Sequence, residues 1–179
     1  MSSTKFIAIL PQPTQPGDKI QISGRISEHA EEFSINFANE ANEDPQSVTY
    51  RFNWDLAHQK LIEDNKEDDE WKNRKETEFD TFDGRFKNKA INDSISNRFI
   101  DNNTIADTTD TFPHSYSLLG PEFALEFAFQ DDGIYVYLVS EDGRNLVTHY
   151  EPQIDLQFIE SVQVCGDVEK VTQLTFSYN

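Results

Sequence analysis

Apolar and polar residues alternate along most of this chain. In "VTYRFNWDL", Val48, Tyr50, Phe52 and Trp54 alternate with Thr49, Arg51, Asn53 and Asp55. "FSINF" sets Phe33, Ile35 and Phe37 against Ser34 and Asn36, and "FALEFAF" repeats the pattern at Phe123, Leu125, Phe127 and Phe129. "DKIQISGRI", "GIYVYLV", "VQVCG" and "LTFSY" carry the same period of two, between turn sequences such as "QPGD", "DDG" and "EDG". Period-two patterning with β-branched and aromatic residues, punctuated by Gly, Pro and Asp, predicts strands. No segment sustains a helical period. The chain is therefore expected to be all-β and antiparallel, folded as a sandwich.

One region breaks the rhythm. From about 77 to 111 the chain is rich in Asn, Asp, Ser and Thr, with Phe and Ile scattered without steady alternation. A connection this long in a compact domain is a functional excursion or a separate loop. Its apolar residues, Phe79, Phe82 and Phe86 among them, predict that parts of it dock on the sandwich. No linker divides the chain, so residues 1–179 are expected to form one domain carrying this insertion.

Composition narrows the function. The chain has 179 residues, 36% of them hydrophobic and 14 of them Phe, enough for one core. Its net charge of −18 speaks against nucleic acid and against anionic membrane surfaces as partners. The single cysteine, Cys165, allows no internal disulfide, and its apolar flanks in "VQVCGD" suit a buried thiol. The opening "MSSTKFIAIL" lacks the pattern of a signal peptide, so a cytoplasmic location is expected.

Catalytic and metal chemistry find little support. There is no Gly-rich phosphate loop, no cysteine pair and no His pair at metal spacing; the four histidines are scattered. The run Glu67–Asp68–Asp69–Glu70 lacks the glycine and spaced oxygens of a calcium loop. No enzyme activity, metal or cofactor is expected. One constellation stands out. Arg51, Asn53 and Asp55 fall at i, i+2 and i+4 of one strand and so share a face. Asp64 follows, and then Trp71, Arg74 and Glu76 within the acidic stretch "DNKEDDEWKNRKE". An indole in so polar a run needs a reason. Polar groups on a sheet face beside an aromatic platform can grip a sugar, the ring covering its C–H face and the polar groups its hydroxyls.

Four blocks of sequence resemble the galectin family. "LPQPTQPGDKIQISGRISEHAEEFSINF" is similar to the family's opening strands, and "RFNWDL" stands where the family has its sugar-binding His-x-Asn-Pro-Arg strand. "FPHSYSLLGPEFALEFAFQDDGIYVYLV" and "IESVQVCGDVEKVTQLTF" resemble the later strands and the closing Gly-Asp-Val element. The resemblance implies a two-sheet antiparallel jelly-roll β-sandwich, galectin- or concanavalin-like, with a long inserted loop and a sugar site on its concave sheet. It implies a non-enzymatic carbohydrate-binding protein, with secretion by an unconventional route known in the family.

Carried over by position, the family's sugar-binding residues fall on Arg51 for the His, Asn53 for the Asn, Asp55 for the Arg and Asp64 for the second Asn. Trp71 falls on the stacking Trp, Arg74 on the Glu and Glu76 on the final Arg. Of these seven positions only Asn53 and Trp71 keep the family's residue type. Asp55 and Arg74 are expected to form the family's Arg–Glu pair with its ends exchanged. An unmatched buried donor or acceptor costs about 1–3 kcal/mol, so ordinary β-galactoside (lactose) binding is expected to be lost or strongly altered. The partner expected is a glycan or glycoprotein; the alternative is a protein partner engaged through the inserted loop or the groove. Exposed sheet edges leave homodimerisation open.

Overall fold

Alternation becomes architecture through burial of the apolar faces of the strands between two sheets. In the computed structural model, residues 3–79 and 122–179 are described. Among the described residues eleven strands form two antiparallel sheets. They are β1 (Thr4–Ile9), β2 (Lys19–Ile26), β3 (Glu32–Ala38), β4 (Val48–Asp55), β5 (Lys60–Glu67) and β6 (Glu70–Glu78). Then come β7 (Glu122–Gln130), β8 (Gly133–Ser140), β9 (Gly143–Tyr150), β10 (Ser161–Gly166) and β11 (Val168–Ser177). One sheet has six strands in the order β1-β10-β3-β4-β5-β6, and the other five in the order β11-β2-β7-β8-β9. A short 3-10 turn, Leu156–Phe158, is the only helical element among the described residues, and no helix there is long and apolar enough to cross a membrane.

The all-β sandwich expected from the alternation is the fold observed. Of the segment from 77 to 111, Thr77 and Glu78 complete β6, and the Phe79 ring is buried and stacked on Trp54 at 5.5 Å between centroids. The remainder of that segment lies outside the described residues.

The core is largely aromatic. Phe33, Ile35 and Phe37 of β3 and Tyr50, Phe52 and Trp54 of β4 face Phe123, Leu125, Phe127 and Phe129 of β7, all essentially fully buried. Rings from opposite sheets interlock edge to face, with Phe37 and Phe127 at 4.8 Å and Phe52 and Phe127 at 5.7 Å. Such pairs add to the area they bury.

β5 departs from this scheme. Its sequence "KLIEDNKE" is mostly polar, yet six of its eight residues are buried. Glu63 points inward and is fully buried. Its carboxylate accepts hydrogen bonds from the Tyr50 hydroxyl at 2.7 Å and the Thr148 hydroxyl at 2.8 Å, and the Lys75 ammonium stands at 3.1 Å. Lys75 also donates to the carbonyl of His149 at 2.8 Å. Lys75 lies on β6 and Thr148 on β9, so this cluster joins the last described strand of one sheet to that of the other. Burial and the Glu63 carboxylate push the Tyr50 phenol well above its ordinary pKa, and burial pushes Tyr150, stacked on Tyr50 at 4.8 Å, up to about 12.

Two outcomes test this cluster. Glu63→Ala should lower unfolding stability by about 2–3 kcal/mol, since it takes the acceptor from two buried hydroxyls, as read by urea denaturation. Tyr150 ionises later in the folded chain than in the unfolded chain, where the ordinary value near 10 applies. Its contribution to stability is therefore complete below pH 10 and is lost as the pH climbs towards about 12. The urea midpoint should fall over that window, and fall less in Tyr150→Phe.

Candidate functional site

The seven positions singled out in the sequence lie on three adjacent strands, β4, β5 and β6. On β4 the inward positions are Tyr50, Phe52 and Trp54, so Arg51, Asn53 and Asp55 turn to the outer face of the six-stranded sheet. The register sets Arg51 opposite Asp64, Asn53 opposite Ile62 and Asp55 opposite Lys60 on β5.

β6 explains the odd spacing of Trp71, Arg74 and Glu76. β5 and β6 form a hairpin whose two turn residues, Asp68 (φ 50°) and Asp69 (φ 68°), are both left-handed, the conformation a tight two-residue hairpin loop requires. Further along, the register shifts between Glu63 and Asn65, and Asn73 adopts φ 55°. An extra residue on β6 at this bulge resets which side chains face outward. Trp71 pairs with Lys66 before the bulge and Glu76 with Ile62 after it, so residues an odd number of positions apart reach the same outer face. The Asn73 amide donates to Asn65 Oδ1 at 2.7 Å and holds the bulge.

At the centre of the site, Arg51 donates from Nε to Asp64 Oδ1 at 2.7 Å and from Nη2 to Asp64 Oδ2 at 2.6 Å. Asp64 is fully buried. The Arg51 guanidinium carbon lies 3.5 Å from the centroid of the Trp71 ring. Arg51 belongs to β4 and Trp71 to β6, so the covered face of the indole is the one turned towards β4. Trp71 remains 42% exposed overall. Lys66 sits further off, 5.8 Å from the ring centroid, held by Asp69 at 2.6 Å and the Pro45 carbonyl at 2.9 Å.

The other charged positions pair differently from the sequence expectation. Asp55 and Arg74 do not form the exchanged pair. Asp55 binds His58, accepting from the His58 backbone N–H at 2.9 Å and lying 2.9 Å from its Nδ1. Arg74 instead binds Glu76 at 2.6 Å, and Lys60 reaches the same carboxylate at 3.3 Å. Register supplies the reason: Lys60 stands between Asp55 and β6, while Arg74 has Glu76 two residues along its own strand. The hydrogen bond from Arg74, and then that from Lys60, hold the Glu76 carboxyl below the usual range. Asn53 is buried between Ser34 and Ile62 on the flanking strands.

Beside this cluster a groove of about 570 Å³ opens towards β3, β10 and β1. Its lining includes Arg51 and Trp71, Asn36, Gln163 and Cys165 on the sheet, and the loop residues Asp44 and Pro45. Sequence reasoning missed this groove, because β1 and β10 join β3 only through long-range pairing. Asn36 Oδ1 is buried and has no hydrogen-bond partner among the described residues, although its Nδ2 lies 3.6 Å from the Cys165 sulfur. Cys165 is buried, as its flanks predict, and burial pushes its thiol pKa up. A second cavity, of about 790 Å³, lies at the opposite turns and is edged by Asp131, Asp132, Glu151 and Asp155. Among the described residues its lining holds neither an aromatic ring nor a basic group. Among the described residues no group of His, Cys, Asp and Glu is placed to hold a metal ion.

The comparisons with known proteins agree with this architecture. The family model described as galactoside-binding lectin matches residues 5–176. Among solved structures the chain is similar to sheep galectin-11 in complex with glycerol, at 11% identity, 96% coverage of each chain and a TM-score of 0.62. It is also similar to a doubly substituted human galectin-16, at 14% identity, 100% coverage of each chain and a TM-score of 0.64. No match was found among curated protein sequences.

The ion pair itself can be tested by a double-mutant cycle. Arg51→Ala should destabilise the fold by about 3–5 kcal/mol, because it leaves a buried carboxylate unpaired. Arg51→Ala with Asp64→Asn should cost less than the single change, giving a coupling energy that urea denaturation reads directly. Arg74→Ala, in an exposed pair, should leave the midpoint nearly unchanged.

Proposed function

The chain belongs to the galactoside-binding lectin family, and on that premise we propose that it is a non-enzymatic binding protein in which ordinary β-galactoside binding is lost or strongly altered. The observation that carries this reading is the Arg51 guanidinium over the Trp71 ring at 3.5 Å, anchored by both oxygens of Asp64. At the positions where the family would hold a sugar, this chain holds itself.

Magnitudes favour loss over adaptation. A millimolar ligand has only about 4 kcal/mol of binding free energy. Pulling Arg51 off a buried carboxylate costs about 3–5 kcal/mol, nearly all that such a ligand could supply. The remaining charged groups are also spoken for: Asp55 by His58, and Glu76 by Arg74 and Lys60. A sugar hydroxyl arriving here meets groups already paired with one another. Each imperfect substitution costs about 1–3 kcal/mol, and about 1.4 kcal/mol is a factor of ten in affinity. Any glycan that does bind must therefore differ from lactose in the donors and acceptors it presents. The single thiol of the chain, buried at Cys165, suits a reducing compartment such as the cytoplasm.

Trp54 is buried in the core and Trp71 is exposed, so a ligand at the site would be reported by Trp71 emission. A lactose titration followed by this signal should give no saturable response, and a glycan array should show no β-galactoside preference. Saturable lactose binding that Trp71→Ala abolishes would overturn the reading.

A further inference from the structure

The arrangement around Trp71 has a positive chemistry as well as a blocking one. Resting on the functional reading above, we propose that Trp71 and Asp64 form a guanidinium-binding pair that the native chain fills with its own Arg51. Three different strands build it: β6 supplies the indole, β5 the carboxylate and β4 the occupant. Removing the occupant therefore leaves the other two parts in place.

The geometry suits a planar, delocalised cation. Both Asp64 oxygens are engaged in a fork, at 2.7 and 2.6 Å, by two nitrogens of one guanidinium. An ammonium presents no such fork. The Cζ atom at 3.5 Å from the ring centroid is in direct contact with the indole face, where the ring quadrupole attracts a cation. Asp64 is fully buried, so without a cation its carboxylate has no compensation. Lys66, the other described cation near the ring, is tied to Asp69 and to the Pro45 carbonyl. The groove of about 570 Å³ is lined by both Arg51 and Trp71, and it gives a small solute a path to the place that Arg51 would leave.

The experiment uses the full chain. Arg51→Ala uncovers one indole face, so the acrylamide quenching constant of Trp71 emission should roughly double relative to the native protein. Millimolar methylguanidinium should return it to the native value, and methylammonium or sodium chloride at equal ionic strength should not. Arg51→Ala with Asp64→Asn removes both charges and tolerates the loss better; its quenching should stay high whatever is added. If the single variant is too unstable for quenching, methylguanidinium should raise its thermal midpoint and leave that of the double variant unmoved. Arg74→Ala serves as the control and should quench as the native protein does. Unchanged quenching in Arg51→Ala overturns the proposal. So does a rescue that sodium chloride reproduces, or one that persists without Asp64. Lactose binding by the native protein would overturn the functional reading instead, and it leaves the methylguanidinium result to decide this assignment by itself.

Discussion

Two neighbouring carboxylates, Glu63 and Asp64, are both fully buried on opposite faces of β5. A strand cannot turn both away from water unless each face brings its own compensation, since an unpaired buried charge costs several kcal/mol. Inward, the compensation is Tyr50, Thr148 and Lys75, which ties β6 of one sheet to β9 of the other. Outward, it is Arg51, whose neutralisation of Asp64 also lays it across Trp71. The core and the site are thus tied at one dipeptide. A change to either carboxylate is felt on its own face first, and on the other through the shared backbone.

The bulge in β6 turns that electrostatic requirement into the geometry of the site. Without an extra residue near Asn73, strict alternation would place Trp71 and Arg74 on opposite faces. With it, the indole, Arg74 and Glu76 share the outer face while Lys75 reaches Glu63 within the core. One left-handed asparagine therefore serves both the core cluster and the surface cluster. The resulting outer face is closed to itself, because Arg51–Asp64, Asp55–His58 and Lys60–Glu76–Arg74 pair within the chain. Local pairing decides what the Trp71 ring touches.

Much of this was legible in the residues. The alternation in "VTYRFNWDL" and "FALEFAF" is enough to assign Tyr50, Phe52, Trp54 and Phe127 to the core, and all four are buried. The side-by-side placement of Arg51, Asn53 and Asp55 also follows from period two. The hairpin of β5 and β6 was harder to see, because "KLIEDNKEDDEWKNRKETE" carries too few apolar residues for alternation to show. Its strands exist because tertiary pairing buries their polar groups against partners far away in sequence, such as Glu63 with Thr148. The expected Asp55–Arg74 pair failed for a related reason. Counting along a family pattern gives positions, but partners depend on the cross-strand register, which puts Lys60 beside Asp55 and leaves Arg74 to Glu76.

The amino-acid order alone determined the fold class and the family, because periodicity and local motif are properties of consecutive residues. The tertiary structure decided which charges meet. Arg51 and Asp64 are 13 residues apart, and Arg51 lies on a different strand from Trp71. Only the stacking of β4, β5 and β6, with the bulge at Asn73, brings them within contact distance. The sequence sets Trp71 in a polar run, and the packing of three strands lays Arg51 on its ring.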